Sequence, residues 1–115
     1  GLLLANPARL SSDTIPPFLK QWEILFSPPM ENQDRYSTEY LEQAIGSEWI
    51  DMNLFSLGPE TVVVDRDQTA LIRLLESHQM EVIPLKLRHS RMMGGGFHCV
   101  TLDTRRRGKM ESYFD

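Results

Sequence analysis

Cysteine is nearly missing from this sequence: Cys99 is the single thiol in 115 residues. That excludes an internal disulfide framework and any zinc site built on several cysteines, and a lone thiol fits a reducing compartment such as the cytoplasm. Long apolar runs are missing too. The longest, Leu2–Ala5 and Val62–Val64, fall far short of the ~20 residues needed to cross a bilayer, so no membrane partner is expected. The opening residues, Gly1-Leu2-Leu3-Leu4-Ala5-Asn6-Pro7, hold no initiator Met and no basic segment. Their apolar stretch is too short for a signal peptide, and the start reads as an interior cut. Positive charge is also in short supply, with 12 Lys and Arg against 16 Asp and Glu for a net charge of −4. Nucleic-acid-binding domains advertise a basic balance, so nucleic acid is not expected as a partner.

What is present is globular. Hydrophobic residues make up 41% and charged residues 24%, which supports neither disorder nor a fibrous repeat, and the length suits one domain spanning residues 1–115. The charge is unevenly spread. Lys86 to Lys109 holds seven Lys and Arg against one Asp, leaving five basic against fifteen acidic residues elsewhere. Basic charge therefore surrounds Cys99 and could hold a small anion.

The patterning is a mixture of strands and helices. Leu2–Ala5 is a short apolar run ended by Asn6-Pro7, as a buried strand entering a turn would be. Ile15, Phe18, Leu19 and Trp22 recur at helical spacing after the cap candidates Ser11, Ser12 and Asp13, predicting a short helix with Pro16-Pro17 in its first turn. Trp22–Phe26 predicts a second strand, and Ser37 or Thr38 opens a helical pattern closed by Gly46. Met52–Leu57 and Thr61–Asp65 flank Gly58-Pro59-Glu60, which predicts an antiparallel hairpin. A helix over residues 68–80 and a strand over Val82–Leu87 follow, and Phe97–Leu102 has strand-like composition. The fold class is α/β, with about one and a half hairpin-helix-strand units.

Gly94-Gly95-Gly96 is the most unusual stretch, and it runs into Phe97-His98-Cys99. Three consecutive glycines cost backbone entropy, so they point either to a plain turn or to a backbone that takes positive φ or admits a close approach. A thiol in apolar company is commonly just a small buried hydrophobe. Here Arg88, His89, Arg91 and Arg105 to Arg107 surround it in sequence, and cationic neighbours favour a thiolate. On a strand His98 would face away from Cys99, which makes it a packing residue. His78 and His89 share no ligand spacing with other residues, so no metal site and no cofactor are expected. Composition and spacing name no function by themselves.

The run from Gly94 to Gly108, Gly-Gly-Gly-Phe-His-Cys-Val-Thr-Leu-Asp-Thr-Arg-Arg-Arg-Gly, resembles the active-site cysteine segment of the glycine amidinotransferase family. The likeness extends through Ser47-Glu48-Trp49-Ile50-Asp51-Met52-Asn53 and Val62–Asp65. It also takes in the tail Glu111–Asp115 and the segment Gly1–Arg9, which is similar to the strand and Asn-Pro-x-Arg turn after the family's His-x-Asp motif. It covers nearly the whole chain. The resemblance implies a five-bladed α/β propeller, of which this chain would supply the C-terminal one and a half modules of the catalytic domain. It implies that Cys99 attacks the guanidino carbon of L-arginine and holds the amidino group while ornithine leaves. An amine acceptor, glycine or an aminocyclitol-type amine, then takes the group. Splitting one difficult exchange into two easier steps is what a thiolate does well. Arg9 matches the arginine that binds the donor carboxylate, a task for a bidentate guanidinium fork, and Ser47 matches a serine assisting there. Gly94, Gly95 and Gly96 form the active-site loop, and the resemblance adds the mitochondrion as a location in a eukaryote.

Two departures stand out. Many relatives carry two serines where this chain has Gly46-Ser47, and no His-x-Asp occurs in these 115 residues. The nucleophile therefore lacks the family's proton shuttle. A C-terminal fragment, inactive alone, is expected, which either associates with the missing N-terminal modules or forms a homo-oligomer. Two alternatives remain at this point: an arginine deiminase-like hydrolase of the same fold, and a noncatalytic module that binds a partner through the basic patch 86–109.

Overall fold

A computed structural model describes residues 1–31, 46–88, 94–109 and 112. The chain divides into two compact units, Gly1–Ser27 with Asp103–Asp115 and Pro28–Leu102. The first is built on two strands, β1 (Leu2–Ala5) and β2 (Glu23–Phe26). They pair in parallel with Leu2 opposite Glu23 and Ala5 opposite Phe26. A parallel pair needs a crossover, and residues 6–22 provide one as a chain of turns. Asn6 and Ser11 each open a turn by accepting main-chain N–H groups three and four residues on, and Ala5, Ile15 and Leu25 are buried.

The helix expected between Ser11 and Trp22 shrinks to a single 3-10 turn, Pro17–Leu19. Prolines in a first turn forfeit no helical bond, but the chain is already committed to β2 at Glu23, whose N–H goes to Gly1 O, and this leaves room for one turn only. The N–H groups of Leu19, Lys20 and Trp22 instead reach carbonyls three residues back. The helix expected after Ser37 or Thr38 lies outside the described residues.

The second unit follows its sequence closely. β3 (Phe55–Ser56) and β4 (Thr61–Asp65) form the antiparallel hairpin, although the first strand is shorter than the expected Met52–Leu57 and Met52 belongs to a 3-10 turn, Ile50–Met52. A helix, α1 (Thr69–Ser77), then carries the chain to β5 (Glu81–Leu85), which lies parallel to β4 with Val63 opposite Ile83. The strand order is β3-β4-β5. Val62, Val63 and Val64 are all buried, as the continuous apolar run of a central strand covered on both faces requires. Leu71 and Leu75 point the stripe of α1 into the same core. Pro84 costs no ladder bond, because among the described residues β5 pairs on one side only.

Both ends of α1 are closed by identifiable bonds. Its N-terminus is capped from 39 positions away: the Ala70 N–H and the Thr69 hydroxyl donate to the Glu31 carboxylate at 2.9 Å. The buried Gln68 amide fixes Glu31 by exchanging two hydrogen bonds with its main chain, at 2.8 and 3.0 Å. At the other end Met80 N–H donates to Leu75 O and Gln79 N–H to Glu76 O, with Gln79 at φ 64°. This is a Schellman stop with a side chain at the position glycine usually fills.

Candidate active site

Two turns of the second unit meet at Asn53. The first begins at Ser47, whose hydroxyl accepts the Trp49 N–H at 3.1 Å and whose carbonyl accepts the Ile50 N–H. One 3-10 turn later, Asn53 N–H closes on Ile50 O at 2.9 Å. Asn53 then turns both of its oxygens to the glycine-cysteine segment: its carbonyl accepts the His98 N–H at 3.2 Å, and its side-chain Oδ1 accepts the Cys99 N–H at 3.0 Å.

The three glycines each have a separate reason. Gly94 sits at φ 70°, a conformation that L side chains rarely adopt. Gly95 lies against the nucleophile candidate, where a Cβ would stand 2.8 Å from Cys99 Cβ. Gly96 touches the asparagine, where a Cβ would fall 2.5 Å from Asn53 O and 2.6 Å from Asn53 Cβ. Of the two sequence readings, positive φ and close approach are both realised.

Phe97–Leu102 does not form the strand its composition suggests. The N–H groups a strand would offer to a ladder are already spent. Those of His98 and Cys99 go to Asn53, that of Val100 to Gly96 O, and that of Thr101 to His98 O. The Thr101 hydroxyl tightens the turn further by donating to the carbonyls of Phe97 and His98, each at 3.0 Å. The result is one helical turn with Cys99 on its exposed side. His98 is exposed as well, so the packing role inferred from strand alternation does not hold.

The remaining predicted residues distribute as follows. Ser47 and Cys99 both belong to the second unit, joined through the Asn53 turn. Arg9 belongs to the first, exposed on the turn that Asn6 organises by accepting the Ala8 N–H on its side chain and the Arg9 N–H on its carbonyl. Within the basic stretch, Arg106 is ion-paired to Asp103, and Lys86 stands 3.8 Å from Asp67. Asn53 was not foreseen as part of the site. It ends the Ser47–Asn53 stretch that carries the resemblance, but no local spacing ties it to Cys99, 46 residues away.

An exposed thiol on a turn braced by hydrogen bonds suits nucleophilic attack on a small electrophile. No protein-family model matches the chain. Individual proteins do. The inosamine-phosphate amidinotransferase 1 of Streptomyces glaucescens is 46% identical over 113 residues, 98% of this chain and 31% of that protein. The mitochondrial glycine amidinotransferase of Gallus gallus is 36% identical over 100% of this chain and 26% of its own length. Among solved structures, the inosamine-phosphate amidinotransferase of Streptomyces griseus superimposes with a TM-score of 0.89 at 50% identity, covering 100% of this chain and 32% of the other. The chain thus spans less than a third of the length of these curated relatives. In sequence and in fold the chain is similar, over nearly all of its own length, to part of the amidinotransferases.

Proposed function

We propose that this chain is the nucleophile-bearing, C-terminal part of a catalytic domain that transfers the amidino group of L-arginine to an amine. In the first half-reaction the Cys99 thiolate forms a bond to the guanidino carbon. The bond from that carbon to the ornithine nitrogen breaks, and a proton is delivered to the departing nitrogen. In the second, the acceptor amine attacks the amidino carbon, loses a proton, and releases Cys99 as thiolate. Arg9 and Ser47 bind the donor carboxylate, and Gly94 to Gly96 shape the loop that presents the thiol. The proton shuttle comes from parts of the full-length protein beyond these 115 residues. The hairpin, helix and strand of β3, β4, α1 and β5 are one module of the five-bladed propeller we propose for the whole domain, with the β1-β2 unit as the incomplete one. We place the reaction in a reducing, aqueous compartment, the cytoplasm in a bacterium.

The observation that carries this reading is Cys99 itself, exposed on a braced turn in a chain similar to amidinotransferases over 98% of its length. The relatives differ in the acceptor their names state: inosamine phosphate for the Streptomyces proteins, L-lysine for one from Pseudomonas savastanoi at 35% identity. The higher identity to the former makes a phosphorylated aminocyclitol the first acceptor to test. The full-length protein is incubated with arginine, with and without that amine, glycine or lysine. Ornithine released only when an amine is present supports transfer, whereas citrulline formed without an amine would assign a hydrolase instead.

A further inference from the structure

Cys99 is held at its own main-chain nitrogen. Asn53 accepts that N–H on Oδ1 at 3.0 Å and the preceding N–H on its carbonyl at 3.2 Å. Gly96 packs so tightly on Asn53 that no Cβ fits between them. Asn53 is itself anchored, as the residue that closes the 3-10 turn Ile50–Met52. Three contacts from one residue thus fix the turn that carries the thiol, while the thiol itself remains exposed.

The polarity of this clamp also suits the proposed chemistry. In acyl transfer, N–H donors near the nucleophile stabilise a developing oxyanion. Attack on a guanidinium develops no oxyanion, and an N–H dipole aimed at a cationic carbon would oppose its approach. Asn53 Oδ1 turns the Cys99 N–H away from that task by occupying it.

We propose that Asn53 is a positioning residue for Cys99, acting through the nucleophile's backbone without touching substrate; the kinetic part of this inference rests on the amidinotransferase reading above. Asn53→Ala is a narrow probe, because it keeps the Cβ against Gly96 and the carbonyl that holds His98 and removes the side-chain amide that carries Oδ1. In the full-length protein we expect amine-dependent turnover and the single-turnover release of ornithine to fall by about 10- to 100-fold, as misplacement of a reacting group does. The KM for arginine should stay within about threefold, since ground-state binding is untouched. Asn53→Asp keeps an acceptor oxygen in place and should recover most of the loss once the pH is raised to offset its added negative charge. Hydrogen exchange at the Cys99 amide reads the clamp without any substrate, and Asn53→Ala should speed it at least about tenfold. Turnover within twofold of wild type in Asn53→Ala, or an Asn53→Asp variant as slow as Asn53→Ala at every pH, would overturn the positioning role. Unchanged exchange at Cys99 would overturn the clamp. If wild type releases no ornithine, the reaction assigned to the site fails, while the exchange result still decides whether Asn53 holds the turn.

Discussion

Gly96 shows how closely the turn that carries Cys99 is built. Its missing side chain is the space that Asn53 fills, with the carbonyl only 2.5 Å from where a Cβ would be. Gly96→Ala must therefore push the two turns apart, and both are backbone, which yields little. We expect a loss of about 1–3 kcal/mol in unfolding free energy, the usual range for overpacking, together with lost turnover as Cys99 leaves its position. Denaturant unfolding and an ornithine assay would check the two effects separately; a variant as stable and active as wild type would show that the contact is slack. At this scale the sequence was legible in part. The glycine run announced an unusual backbone, and Cys99 stood out by being alone. Asn53 falls in a stretch that resembles the family, but its hold on the cysteine turn was illegible, because it arises from two hydrogen bonds to residues 45 and 46 positions along the chain. Local spacing carries no record of such a contact.

Among the elements, α1 displays both long-range and local control of a helix end. Glu31 caps its start, and its carboxyl is held below the ordinary value of 4.5 by the Ala70 N–H first, then by the Thr69 hydroxyl and main chain and the charge of Arg73, against some desolvation. A group whose pKa is lowered by folding lends stability above its unfolded value, and that contribution disappears as pH falls through the folded value. Unfolding free energy should accordingly decline as pH drops below about 4.5, and Glu31→Gln should flatten that part of the profile. An unchanged slope in the variant would mean the cap is not ionised in the folded protein. At the helix's far end Gln79 holds φ 64°, where glycine pays no steric penalty, so Gln79→Gly should stabilise by about 0.5–1 kcal/mol. Thermal unfolding would detect this as a raised midpoint, and a lowered one would contradict the Schellman assignment.

The elements that the sequence foretold well are those whose pattern is complete within one stretch: the valine run of β4, the apolar stripe of α1 and β5 behind it. Two expectations failed for reasons of hydrogen bonding. Helical spacing around Phe18 yields only the 3-10 turn Pro17–Leu19, because the main chain is committed to β2 from Glu23, whose N–H goes to Gly1 O. Strand-like composition at Phe97–Leu102 could not form a ladder with its donors committed to Asn53, Gly96 and His98. Hydrophobic pattern reports which side chains seek burial, and it says little about where the main-chain donors go.

For the whole molecule, the decisive fact is the share of the family that these residues represent, about 31% of the Streptomyces glaucescens protein. The proposed nucleophile, Cys99, is among them, and no His-x-Asp is. A positioned acid contributes typically ~100- to 10,000-fold in rate, so the 115-residue chain alone should release ornithine at least about a hundredfold more slowly than the full-length protein. Exposed apolar side chains at Phe18, Leu57, Leu85 and Val100 should make the isolated chain self-associate, which sedimentation would register as a mass above 13.3 kDa. A stable monomer would count against that expectation.

The central claim is that Cys99 carries the amidino group between the two half-reactions. The full-length protein is mixed with arginine in the absence of any amine, quenched in acid and digested, and the peptide containing Cys99 is weighed by mass spectrometry. One amidino group is expected on Cys99, lost again when the acceptor amine is added before quenching, and no adduct in Cys99→Ser. An unmodified Cys99 peptide, an amidino group on a different residue, or a Cys99→Ser variant that still turns over would contradict it.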